Sequence, residues 1–145
     1  MNWKYEAIEK LRDYEAKKLS LSTLPEEIRR LELDAQRIRS ATGDGTPVKG
    51  GGSTREDMLL SNIVHREELE RSLEMARKWV ALVDAGMEIL GTEDRLVLDK
   101  FYVHPERGSV ERLCEELGCE KATVYRRRDG AMRRFTLALY GGIET

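Results

Sequence analysis

Aromatic residues make up only 6% of this 145-residue chain, prolines number three and cysteines two. So little β-favouring and turn-forming material, set against 36% charged residues, excludes a sheet-rich domain and favours long solvated helices. The two cysteines, Cys114 and Cys119, cannot staple a disulfide scaffold, and no apolar signal segment opens the chain. The expected location is therefore the reducing cytoplasm. No run approaches the ~20 apolar residues that span a bilayer, so no membrane partner is expected. Catalysis finds no support either. No nucleophile has a plausible base, and the acidic residues are spread along helix faces, so no catalytic or cofactor-binding residue is assigned. His104 stands ten residues before Cys114, with Cys119 five after it, a spacing too loose and too poor in ligands for zinc.

The apolar residues that are present follow helical periods, and the expected class is all-α. Residues 2 to about 22 bring Ala7, Leu11, Tyr14 and Leu21 near one face, with Ile8 alongside. "TLPEE" then reads as a break, with Pro25 in the first turn of a second helix and Glu26 and Glu27 at its positive end. Leu24, Ile28, Leu31, Ala35 and Ile38 alternate four and three apart, the seam spacing of helices packed lengthwise. Leu69, Leu73, Ala76, Val80, Val83, Met87 and Leu90, preceded by Leu59 and Ile63, keep that alternation. Residues 55 to 90 are thus expected to form one helix of about 54 Å, at ~1.5 Å per residue.

Between the two seams lies "TGDGTPVKGGGST", residues 42–54, where five glycines and Pro47 read as a loop. Ser53 with Glu56, and Thr54 with Asp57, fit the Ser/Thr-x-x-acid capping pattern, so the long helix is expected to start at one of them. Lys49 beside the glycines invites a phosphate-loop reading. The order is wrong for it, because that loop follows a strand and ends in Gly-Lys-Ser/Thr at the helix start. Residues 1–90 are therefore expected to form an antiparallel helical hairpin or coiled coil, and residues 91–145 a second unit.

That second unit opens at "LGTED", where Gly91 can end one helix and Thr92, Glu93 and Asp94 begin another. Leu96, Val97, Phe101 and Tyr102 keep helical spacing as far as about Val103; "HPERGS" interrupts, and Ser109 is expected to cap a short helix, Val110 to Leu117. In a helix-turn-helix the joint needs a positive φ and the crossing needs small apolar side chains. Gly118 meets the first demand, and Leu113, Cys114 and Leu117, facing Val124, meet the second.

The stretch Lys121 to Arg134 then carries six basic residues against Asp129, a local excess of five in a chain of formal net charge -2. An anionic partner would meet that one face. Lys121, Ala122, Tyr125 and Arg126 are expected to face the base edges of a major groove. Arg112, Thr123, Arg127, Arg133 and Arg134 are placed for phosphates. The expected partner is double-stranded DNA.

At these residues a resemblance appears. "TEDRLVLDKFY" followed by "SVERLCEELGCEKATVYRRRDGAMRRF" resembles region 4 of bacterial sigma factors, over residues 92 to about 139. The whole chain, including "DGTPVKGGGSTRED", is similar to a group of phage-encoded proteins of Gram-positive hosts related to ArpU/RinA-type late-gene transcription regulators. The resemblance implies a three-helix DNA-binding domain, a transcriptional regulator acting in the host bacterial cytoplasm, and contact with host RNA polymerase. Two other functions fit the same residues: a small-terminase-like DNA-packaging oligomer, and a polymerase adaptor that binds no DNA. Seam left uncovered on the N-terminal helices would serve a homodimer. Two residues depart from the sigma pattern: Glu120 stands where a capping Ser is usual, and Arg128 falls on the apolar stripe, where its stem can pack while its head reaches solvent.

Overall fold

A computed structural model of the chain describes residues 2–41 and 51–142, with six α-helices and no strand among them. The helices are α1 (Trp3–Arg12), α2 (Tyr14–Ser40), α3 (Gly51–Glu88), α4 (Thr92–Leu98), α5 (Ser109–Leu117) and α6 (Lys121–Tyr140). A π-helical turn, Asp99–Val103, continues α4. Pro47 and Lys49 lie outside the described residues. None of the helices is long and apolar enough to cross a membrane, among the described residues.

Two boundaries differ from the sequence reading. The first interruption falls at Asp13, and α2 runs straight through Pro25. A proline in a helix interior forfeits one ladder bond and costs about 3 kcal/mol. Ile28, Leu31 and Ala35 are buried beyond it along one stripe, and each large aliphatic side chain contributes about 1.5–3 kcal/mol on burial. The seam therefore outweighs the lost bond. At Asp13 the ladder continues on either side: its N–H donates to the Glu9 carbonyl at 3.0 Å, and its carbonyl accepts from Lys17 at 2.9 Å. The second difference is at α3, which starts at Gly51, ahead of the Ser53 and Thr54 expected to cap it.

The chain forms two compact units, one of Lys18–Arg77 and one of Met1–Lys17 with Lys78–Thr145. This division does not fall at residues 90 and 91. α1 and the end of α3 share a core with the C-terminal helices instead.

In the unit Lys18–Arg77, α2 and α3 run antiparallel. Asn62 Nδ2 donates to the Leu31 carbonyl at 2.8 Å, and the Arg55 guanidinium reaches the Arg39 carbonyl. Among the described residues, Ile28, Leu31, Ala35, Leu73 and Ala76 are the buried apolar ones here, all on the seams read from the sequence.

In the other unit, Ala7, Leu11, Val83, Leu90, Leu98, Ala131, Met132 and Phe135 form one buried cluster. Trp3 stacks on Tyr140 with ring centroids 4.8 Å apart, and Trp79 Nε1 donates to the Lys10 carbonyl at 3.0 Å. The Tyr14 hydroxyl donates to Asp84 Oδ1 at 2.5 Å; burial first, and that bond second, push its pKa up to about 12. A second, smaller cluster joins Val97, Leu113 and Val124. Neighbouring Val97 and Leu98 thus enter different clusters, and so do the two halves of α6.

Gly86 permits a close approach in the larger cluster. A Cβ on it would stand 2.8 Å from Phe135 Cε1 and 2.9 Å from Leu139 Cδ2. Gly130 on α6 has room by comparison, since a Cβ there meets only the Arg134 guanidinium, at 3.5 Å. Replacing Gly86 by Ala should therefore destabilise the protein by about 1–3 kcal/mol through overpacking. Gly130→Ala should instead stabilise it by up to about 1 kcal/mol through helix propensity. Urea unfolding of the two variants checks this opposition of sign.

Candidate nucleic-acid interface

The α5–α6 pair is built from its loop upward. Ser109 closes the preceding loop twice over: its Oγ donates to the Glu106 carbonyl at 2.7 Å and accepts from the Glu106 N–H at 3.1 Å. Gly108, with φ 81°, supplies the left-handed residue before α5. α5 ends at Gly118, with φ 64° and ψ 40°, and the Cys114 carbonyl accepts the closing bond from Cys119 N–H at 3.1 Å. A side chain at Gly118 would be strained by backbone conformation even though the space around it is open. The chain then extends through Glu120, whose carbonyl accepts from Thr123 and Val124 and starts α6. No side chain caps that start, as the departure at Glu120 implied.

Leu113 and Val124 lock the two helices against Val97 of α4, with Cys114, Leu117 and Cys119 packed around them. Both cysteines are free thiols, half-buried at this crossing.

The four expected base readers lie together on the outer face of the first turns of α6. Lys121, Ala122, Tyr125 and Arg126 are all exposed. Lys121 Nζ lies 3.3 Å from Glu111 Oε1. Arg126 makes only a long bond, 3.4 Å, to the Ala122 carbonyl, and no ion pair among the described residues. Tyr125 stands edge-on to Phe101, centroids 5.8 Å apart, and the Arg128 guanidinium sits 5.1 Å from both rings. It is therefore the head of Arg128, expected to reach solvent, that meets these rings, and it also meets Asp129 at 3.0 Å.

The five expected phosphate contacts are not equivalent. Arg133 is exposed without an ion pair among the described residues, and Thr123 is half-buried. Arg112 pairs with Glu106 at 2.7 Å, and Arg127 pairs with Glu93. Arg134 places Nε and Nη2 at 2.9 and 2.6 Å from a single oxygen of Asp94, whose side chain is only 16% exposed. Arg134 is thereby a strut between α4 and α6. Thr123, Arg126, Arg127, Gly130 and Arg134 line an open notch between these helices, with Asp94 at its side.

The sequence reading assigned Glu93 and Asp94 only to a helix start. Nothing in their local pattern marks them as counter-charges for residues 34 and 40 positions further on; that pairing exists only once α4 and α6 pack. Phe101 carries only a helical spacing in the sequence, and its role as a platform for Tyr125 and Arg128 arises from its place in the π-helical turn.

That turn ends on His104, whose N–H donates to the Asp99 carbonyl at 2.7 Å. The imidazole stands between Asp99 Oδ1, at 2.8 Å, and Glu15 Oε1, at 3.2 Å. The bond to Asp99 first, then the charges of Asp99 and Glu15, hold the His104 pKa above its ordinary 6.5.

In comparisons with known proteins, no family model, no curated protein and no solved structure matches the chain.

A raised histidine pKa stabilises the folded chain fully below the unfolded value of 6.5, and that contribution disappears as pH rises through the folded value. The gap in unfolding free energy between the native chain and a His104→Gln variant should therefore be widest near pH 5.5 and shrink by about pH 8. A gap that is constant over this range rules out the carboxylate bridge as its source.

Proposed function

We propose that this chain is a sequence-specific double-stranded DNA-binding protein that lays the first half of α6 in a major groove. In this reading it is a phage transcriptional regulator in the host cytoplasm, an activator of late genes that also contacts host RNA polymerase. The observation that carries it is the joint exposure of Lys121, Ala122, Tyr125 and Arg126 on a helix start held by Leu113, Val124 and Val97. An α-helix fits the ~12 Å width of the major groove, and an arginine offers a bidentate match to guanine. Arg126 and Arg133, seven residues apart on one ridge, are the guanidinium groups of α6 that carry no intrachain ion pair among the described residues.

The intrachain pairs do not block this function. Exposed ion pairs are worth ~0–1 kcal/mol as a class, and release of condensed counterions from DNA repays their exchange. Arg112 and Arg127 can therefore trade Glu106 and Glu93 for phosphates. Arg134 is less free, because Asp94 is mostly buried.

Those same pairs favour one second reading, a polymerase adaptor that binds no DNA, since they neutralise much of the local positive excess. The packaging-oligomer alternative would show itself as a ring in solution.

Binding of the full chain to fragments of phage genomic DNA, measured by gel shift over a salt series, separates these. Arg126→Ala should lose about 1–3 kcal/mol of affinity for the selected site and relax its specificity there. Arg133→Ala should weaken all sequences alike and lower the salt slope by about 1. The absence of any retarded complex at low salt would sink the DNA reading and leave the adaptor.

A further inference from the structure

The helix α3 carries a second stripe on the side away from its seam. Leu60, Val64 and Met75 are 61%, 45% and 62% exposed. At ~3.6 residues per turn, Leu60, Val64, Glu68, Arg71 and Met75 fall within an arc of about 80°. That arc lies opposite the buried Asn62, Leu73 and Ala76. All five belong to the unit Lys18–Arg77. Glu68 and Arg71 are both exposed, and neither forms an ion pair within the chain among the described residues, although they stand three apart on one helix.

The order of this stripe is the same in character from either end. Val64 is followed four residues later by Glu68, and Met75 is preceded four residues earlier by Arg71. An antiparallel copy of α3 laid against it, with its centre between Leu69 and Glu70, brings Val64 opposite Met75 and Glu68 opposite Arg71, each twice. Residues equidistant from that centre lie at the same height because the helix rises ~1.5 Å per residue. A parallel copy in register would instead set Glu68 on Glu68 and Arg71 on Arg71, and like charges across an interface suppress that mode.

We propose that two copies of this chain associate through this face of α3, antiparallel and about a two-fold axis. The occupant is a second copy because the stripe is self-complementary in charge and in apolar position, which is what an isologous contact requires. The face is narrow against the roughly 20–30 residues a side of stable interfaces, so association is expected only at high protein concentration. This inference does not depend on DNA binding.

Sedimentation equilibrium of the full chain without DNA, up to several hundred micromolar, provides the test. The native chain should approach twice its 16.7 kDa mass. Glu68→Arg and Arg71→Glu should each weaken the dimer by about tenfold or more, since each places like charges together twice. The double reversal, Glu68→Arg with Arg71→Glu, should restore native affinity to within about threefold. Circular dichroism confirms that these exposed changes leave the helices intact, and Arg126→Ala should dimerise like the native chain. A monomer throughout, an unaffected dimer in both single reversals, or a double reversal no better than either single one overturns the proposal.

Discussion

Phe135 reaches its place against α3 because Gly86 presents no side chain to it; a single carbon there would stand 2.8 Å from the ring. That approach commits the second half of α6 to the interior. Ala131, Met132, Phe135 and Thr136 are all buried, and the Thr136 hydroxyl is satisfied by the Met132 carbonyl at 2.7 Å. A helix anchored in this way over its last turns can leave its first turns outside without losing its orientation. The small cluster of Val97, Leu113 and Val124 then needs to hold only the crossing with α5. One helix therefore carries two tasks divided along its length, and the division is set by where the large core ends, near Gly130.

The charges of α6 divide by face and not along its length: among the described residues Arg126 and Arg133 carry no ion pair, whereas Arg127 and Arg134, toward α4, meet Glu93 and Asp94. Arg134 is bound by a carboxylate that is itself mostly covered, and an ion pair with a partly desolvated partner is harder to exchange than one in water. Arg126 is held by nothing stronger than a long bond to a carbonyl. Net charge over the stretch is thus a poor guide to the field that a partner meets. What counts is which guanidinium groups remain unpaired after α4 has packed, and the acidic first turn of α4, favourable in its own right at a helix N-terminus, decides that.

The seams of α2 and α3 were legible in the sequence because burial of one stripe imposes a four-and-three alternation, and the residues on it are those found buried or half-buried. Gly118 was legible for a different reason, since a left-handed residue between two helices has few chemical solutions. The exposed face of α6 followed from the same period. Pro25 misled because a local rule, proline as a helix starter, competes with a seam that continues on both sides of it. The assignment of α1 to the C-terminal core was not legible, because Ala7 and Leu11 form a stripe that any apolar partner could cover. Ion pairs between α4 and α6 were hidden for the same reason: long-range pairing leaves no periodic trace in either segment.

Two helices packed side by side bury one stripe each, and a seam with a seven-residue period cannot by itself distinguish the native register from one displaced by a heptad. Asn62 narrows the choice. It is buried within the α2–α3 pair, with its amide donating to the Leu31 carbonyl and its oxygen accepting from Arg66 Nε, each at 2.8 Å. A shift or rotation that is not a whole heptad would carry the amide away from a carbonyl and leave a polar group unbonded in the seam, a loss of about 1–3 kcal/mol. A whole heptad would set it against the backbone carbonyl of Leu24 or Ile38 in place of Leu31, an equivalent acceptor, so this contact fixes which faces meet and not the heptad. An aliphatic residue at the same position would add burial without that constraint.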